Sequence, residues 1–310
     1  MSWSLERVKG IAYALVSSST FGLIPMFAIP PMREGMLVNS VVFYRFLFSS
    51  LAVGAVLLLR GSSLRVNRRE LRFLIVLGLL YAATSLVLTS SYVYIPSGTA
   101  TTIHFLYPVV VSVVMSLVFK ERASVFLYVA VLLALCGVYL LSGVEHGAEV
   151  NVRGYAMAFS TVLTYACYII VVNRSCINRM DGLKATFYVL SVGMVIFFFN
   201  SLLADGEISG FPDWGSFVHI LLLALVATLV SDLTLILAIQ RIGSTMSAIL
   251  GCLEPLTAVC MGALFLGESF TVGQGAGLVA VLAAVMLVIC ASARGKAGRE
   301  AATPPSSPRK

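Results

Sequence analysis

Residues 97–124, SGTATTIHFLYPVVVSVVMSLVFKERAS, and residues 244–271, STMSAILGCLEPLTAVCMGALFLGESFT, are two versions of one pattern. At a gapless offset of 147, Ser97 meets Ser244, Leu106 meets Leu253, Pro108 meets Pro255, Leu117 meets Leu264 and Glu121 meets Glu268. The match extends outward: GIAYA at 10–14 answers GYAMA at 154–158, and Phe43-Tyr44 answers Phe187-Tyr188, both at an offset of 144. Several coincidences at nearly one period are the mark of a duplicated unit. Each copy is built around apolar runs, so the unit is made of membrane spans.

Composition requires the same. Of 310 residues, 59% are hydrophobic and only 11% charged, with a mean hydropathy of +0.97. A soluble domain carries roughly a quarter charged residues. The apolar runs are about 20 residues long, the length a helix needs to cross a bilayer. They fall at 8–29, 39–59, 71–91, 96–119, 124–143, 154–173, 183–203, 216–239, 245–266 and 271–292. Barrel strands would instead alternate over about ten residues, and no such alternation is present. The fold class is therefore an all-α polytopic membrane protein with ten transmembrane helices, without room for a soluble domain.

Eighteen of the 21 Lys and Arg residues fall on one set of alternate loops, against Arg33 and Arg153 on the other and Arg45 within a span. Basic loops stay cytoplasmic during insertion, so this asymmetry predicts cytoplasmic N and C termini. It also explains the net charge of +7 without any nucleic-acid partner. The first run, though preceded by Arg7 and Lys9, is long and lacks a small-x-small cleavage site, so it reads as a retained span. The six cysteines lie in apolar runs, except Cys176 in a basic loop, and read as packing residues rather than a disulfide framework. Residues 293–310 read as a disordered basic cytoplasmic tail.

Two units follow, 8–143 and 154–292, each of five spans. Five is odd, so the second unit enters the membrane from the opposite face. Inverted repeats of this kind are a common architecture of secondary transporters, with the substrate near the midplane and alternating access by rocking of the two halves.

The residues also resemble a known family. Leu253-Glu254-Pro255, the following Leu266-Gly267-Glu268-Ser269, their first-copy counterparts Tyr107-Pro108 and Lys120-Glu121-Arg122, and Arg45 early in span two are similar to the EamA branch of the drug/metabolite transporter superfamily. The resemblance implies a cytoplasmic-membrane carrier, often an exporter of amino acids or related metabolites. It implies a central cavity lined by spans one, three, four, six, eight and nine, with five and ten peripheral.

Charges inside a bilayer indicate function. Arg45, Asp232 and Glu254 would together cost about 8 to 10 kcal/mol if all faced lipid, so they should face the interior. Glu254 lies about 14 Å from the inner edge and His104 about 12 Å from the outer, placing both near mid-membrane. Glu254 is the candidate to bind a substrate ammonium or a coupling proton, with His104 tuning or relaying it. The structural alternatives are a Glu254–Arg45 pair, or a Glu254 that satisfies backbone groups freed by Pro255; His104 could equally be a core residue satisfied by a neighbour. Asp232 is either a second protonatable group or a lip residue. Tyr81, Tyr107 and Tyr165 are the aromatic candidates for the cavity, whereas Tyr92 and Tyr94 suit an interfacial belt. Arg45, Pro108, Pro255, Glu121 and Glu268 are assigned to structure. The Gly273–Gly277 spacing packs span ten onto its own subunit or makes a dimer.

Absences narrow the reading. Without a phosphate loop, an HExxH or a Cys/His cluster, no ATP hydrolysis, cofactor or metal is expected. No lysine lies in an apolar core, which disfavours strongly anionic cargo. The expectation is a secondary carrier of a small-molecule substrate, an amino acid or related metabolite, in contact with membrane lipids, open to proton coupling, and acting as a monomer or homodimer. The alternatives are an intramembrane enzyme using Glu254, His104 and Asp232 as acid-base groups, and a non-transporting scaffold.

Overall fold

The structure is a computed structural model that describes residues 5–119, 125–141, 151–251 and 253–302. Among them every regular element is a helix. The helices are α1 (Leu5–Phe21), α2 (Ile24–Arg33), α3 (Val38–Leu59), α4 (Arg68–Ser91), α5 (Ser97–His104), α6 (Tyr107–Leu117), α7 (Val125–Leu141), α8 (Val152–Arg174), α9 (Gly182–Asn200), α10 (Trp214–Ala224), α11 (Ser231–Leu250), α12 (Leu253–Phe265) and α13 (Val272–Ala302). Among the described residues, seven segments are long and apolar enough to cross a membrane: Val8–Arg33, Val38–Leu59, Arg68–Ser91, Ser97–Leu117, Val152–Arg174, Gly182–Asp205 and Trp214–Ile242. Shorter apolar helices, Tyr128–Leu141, Leu253–Phe265 and Val272–Leu287, occupy the positions expected for spans five, nine and ten. The protein is a multi-pass helical membrane protein, with large apolar side chains such as Leu58, Leu132, Leu163 and Leu203 on its outer surface.

Helix starts follow local chemistry. Asn67 and Glu70 form a reciprocal capping box at α4, and Asp181 and Asp213 accept backbone N–H bonds at the starts of α9 and α10. Inside the membrane the breaks follow Pro and Gly. Span four divides at Phe105–Leu106, and Pro108, which lacks an N–H, opens α6. Pro255 stands at the corresponding place in α12. Span one divides after Gly22, where a Cβ would come within 2.5 Å of the Glu254 carbonyl oxygen, so the absent side chain lets α1 and α12 approach closely.

The helices pack as α1 on α11, α4 on α8, α3 on α9, α5 on α12 and α7 on α13. Exchanging residues 8–143 for 152–290 carries α1·α11 onto α4·α8 and returns each of the other pairs to itself. Individual contacts obey the same exchange. Gly10 packs on Ile242 and Gly154 on Ile95; Gly54 packs on Phe187, and Phe198 on Phe43 at 6.0 Å between centroids. The glycine of span ten is used within the chain, because Gly277 abuts the backbone of Gly137 in α7. The five cysteines described, Cys136, Cys167, Cys176, Cys260 and Cys290, are free, while Cys252 and Glu121 lie outside the described residues. Helix α13 runs to Ala302, ten residues past the expected end of span ten, because Ala, Arg, Lys and Glu dominate 293–302 and favour helix. The rest of the expected tail, 303–310, lies outside the described residues.

Candidate functional site

The break in span four leaves His104 on the last turn of α5 and Tyr107 on the first turn of α6, facing α8. There Tyr165 lies 5.1 Å from the His104 ring and 4.7 Å from Tyr107 between centroids, and His104 lies 5.9 Å from Tyr107. Tyr168, one turn along α8, stacks on Tyr165 at 5.5 Å with an interplanar angle of 9°. Tyr81 of α4 completes the group, 6.5 Å from Tyr165 and 5.6 Å from Tyr168. Three of the expected tyrosines and His104 thus form one continuous aromatic wall. Tyr168 is among the tyrosines the sequence offers for an amphipathic pocket but is not one of the three it favours, although its spacing of three from Tyr165 places both on one helix face.

His104 is buried, and its Nδ1 lies 2.9 Å from Thr161 Oγ1. The Thr161 hydroxyl donates to the Ala158 carbonyl at 2.6 Å, so its oxygen accepts from His104 Nδ1–H, and Nε2 is left as an acceptor. Nε2 has no partner among the described residues. The neighbour that satisfies one nitrogen therefore also orients the other.

Glu254 and Asp232 stand near this wall without touching it through a hydrogen bond. Glu254 lies within electrostatic range of Tyr81, Tyr92 and Tyr165, and Asp232 within range of Tyr81, Tyr168 and Arg45. Among the described residues neither carboxylate has a hydrogen bond or an ion pair. Both are enclosed by protein yet keep surface that water can reach. A carboxylate within a helical bundle that no hydrogen bond holds requires water, a proton or a cation.

Arg45 behaves differently. It is buried, at 4% exposure, and donates from Nε to Thr228 Oγ1 at 3.1 Å and from a terminal nitrogen to Ser85 Oγ at 3.4 Å. A π-helical turn, Leu225–Val230, presents Thr228 to it. Arg45 thereby joins span two to spans three and eight, and no ion pair links it to Glu254 among the described residues. Tyr92 turns inward, its hydroxyl 3.5 Å from Thr101 Oγ1, instead of joining an interfacial belt. Tyr94 faces Arg153, whose guanidinium lies 4.8 Å from its ring centroid.

An open cleft of about 430 Å³ lies apart, at loop ends lined by Arg65, Glu70, Arg179, Asp181 and Lys184 among others, and shares no residue with the wall. No group of three or more metal-ligating side chains occurs among the described residues.

Broken helices that enclose unpaired carboxylates and an aromatic wall within a multi-pass bundle are the anatomy of a membrane transporter. Residues 8–143 and 152–290 each match the EamA-like transporter family, and the chain belongs to that family. It is 24% identical over 296 residues to the uncharacterized inner membrane transporter YicL of Salmonella typhimurium, covering 92% of this chain and 97% of the relative. The uncharacterized transporter YvbV of Bacillus subtilis is 23% identical over 198 residues, 63% of this chain and 64% of the relative. A solved crystal structure superposes with a TM-score of 0.64 at 17% identity, over 95% of this chain and all of the other, and so shares its fold. The chain is a membrane transporter and not an enzyme.

Proposed function

We propose that the chain is a secondary carrier of small organic metabolites in the cytoplasmic membrane, exporting amino acids or related amphipathic compounds by alternating access. Ten crossings form two inverted five-helix halves, 8–143 and 154–292, with both termini cytoplasmic, and the carrier acts as a monomer or homodimer. Support for the duplication comes from packing pairs and single contacts that survive exchange of the halves, and from a family match made twice along the chain; an odd number of crossings in each half then inverts the second.

The observation that carries the substrate reading is that two carboxylates without hydrogen-bond partners among the described residues lie within electrostatic range of the stacked tyrosines. In this reading Glu254 holds the cargo ammonium or a coupling proton, Asp232 acts as a second acidic group toward the cytoplasmic side, and His104 Nε2 accepts from the cargo. Tyr81, Tyr107, Tyr165 and Tyr168 offer π faces to a cation or an aromatic side chain and amphipathic surface to the rest.

Counterflow in proteoliposomes against a panel of amino acids, sugars and organic cations, with and without an imposed pH gradient, tests it. Exchange of a zwitterionic or cationic amino compound, accelerated by the gradient, is expected. Exchange confined to sugars or anions would rule the reading out.

A further inference from the structure

We infer that Glu268 is a gate residue: its carboxylate, by holding the first two backbone N–H groups of α5, keeps the outer end of the chamber closed, and its release opens that end. This rests on the alternating-access reading above.

Glu268 accepts from Ser97 N–H at 2.8 Å and from Gly98 N–H at 3.4 Å, across a sequence separation of about 170 residues. The bond therefore joins the second half of the chain to the half-helix that carries His104 at its other end. The eight residues of α5 span about 12 Å, so a movement at Ser97 is delivered to His104 as a rigid displacement.

The seat for the carboxylate is built on purpose-fitting absences. A Cβ on Gly262 would lie 2.5 Å from Glu268 Oε2. Gly267, at φ +69°, folds the loop back so that Glu268 N–H donates to the Gly262 carbonyl at 3.0 Å. Beside it, Arg33 donates to the Leu266 carbonyl at 2.9 Å and ties span one to the same loop.

Two features separate a gate from a static brace. The N–H groups held are the free donors of a helix start, which water can satisfy on release, so the open state leaves no orphaned backbone. Meanwhile Ser97 Oγ and Thr99 Oγ1, both fully buried, have no hydrogen-bond partner while Glu268 holds the helix start. Closure thus carries an unmet polar demand offset by charge-assisted bonds, the close balance that a two-state element needs.

The test is labelling of Thr101→Cys in the full chain by a membrane-impermeant maleimide, in right-side-out and inside-out vesicles, with the unsubstituted chain giving the background from native cysteines. Two variants weaken the contact from opposite sides, one at the acceptor and one at the donor. Glu268→Gln keeps shape and removes charge. Ser97→Pro removes the donor at the first helical position, which accepts proline, and the preceding residue, Pro96, already has φ −54° and ψ 137°. Each should raise the external-to-internal labelling ratio roughly tenfold, the scale of one charge-assisted hydrogen bond. A reporter chain reached from both faces whose ratio neither variant moves overturns the gate while leaving the carrier reading intact. A reporter chain reached from one face only overturns both.

Discussion

At the residue scale, the strongest contrast is between two charged side chains of span-forming segments. Arg45 is satisfied by Thr228 and Ser85; Glu254 has no such partners among the described residues. Satisfied charges brace, and unsatisfied ones await a ligand. Glu254→Gln should therefore reduce counterflow by at least about tenfold and remove its response to an imposed pH gradient, with little change in thermal unfolding, since a lost transition-state or binding contact is read in flux rather than stability. Thr228→Val should do the reverse. It leaves the Arg45 Nε–H buried without an acceptor, which costs about 1 to 3 kcal/mol, read as an earlier thermal unfolding transition in detergent, while folded protein continues to exchange solute. His104 and Glu254 were legible as isolated polar residues in apolar runs. Thr161, the partner of His104, was not, because its role depends on how α8 crosses α5 and sequence spacing within one helix does not encode that crossing.

At the scale of elements, starts and breaks are the informative features. Pro108 and Pro255 mark the half-helix starts directly, since a missing N–H cannot extend the ladder. The break at Gly22 carries no comparable signal: it exists because α12 comes close, a tertiary cause. Helix α10 gives a pH prediction outside the membrane. Asp213 is held below the ordinary carboxylate range chiefly by the Ser216 backbone N–H it accepts. A carboxylate with a lowered folded value stabilises above its ordinary value of 3.8 and loses that contribution as pH falls through the folded value. Hydrogen-exchange protection of the first turn of α10 should fall on acidification below about pH 4, and Asp213→Asn, which keeps an acceptor, should flatten that dependence. At the far side, Gly277→Val would drive a side chain into the Gly137 backbone. It should lower stability by about 1 to 3 kcal/mol, measured by thermal unfolding, with exchange retained because α7 and α13 supply none of the chamber residues.

For the whole molecule, the 20-residue apolar runs made a multi-pass helical architecture readable in the sequence, while the one-sided placement of Lys and Arg sets the orientation to be expected. The offsets of 144 and 147 differ by three residues, and both recur as spatial contacts, Gly10 with Ile242 against Gly154 with Ile95. What the sequence left open was convergence. Tyr81, Tyr107 and Tyr165 come from three spans, and only packing makes them neighbours. Orientation decides whether that chamber serves both compartments, because two halves of five spans exchange faces only if inserted oppositely. The direct measurement places a reporter tag at each terminus and a third within 144–150 in whole cells and reads the compartment of each. Both terminal tags in the cytoplasm with the central tag outside is the predicted result. Terminal tags on opposite faces of the membrane would contradict the account.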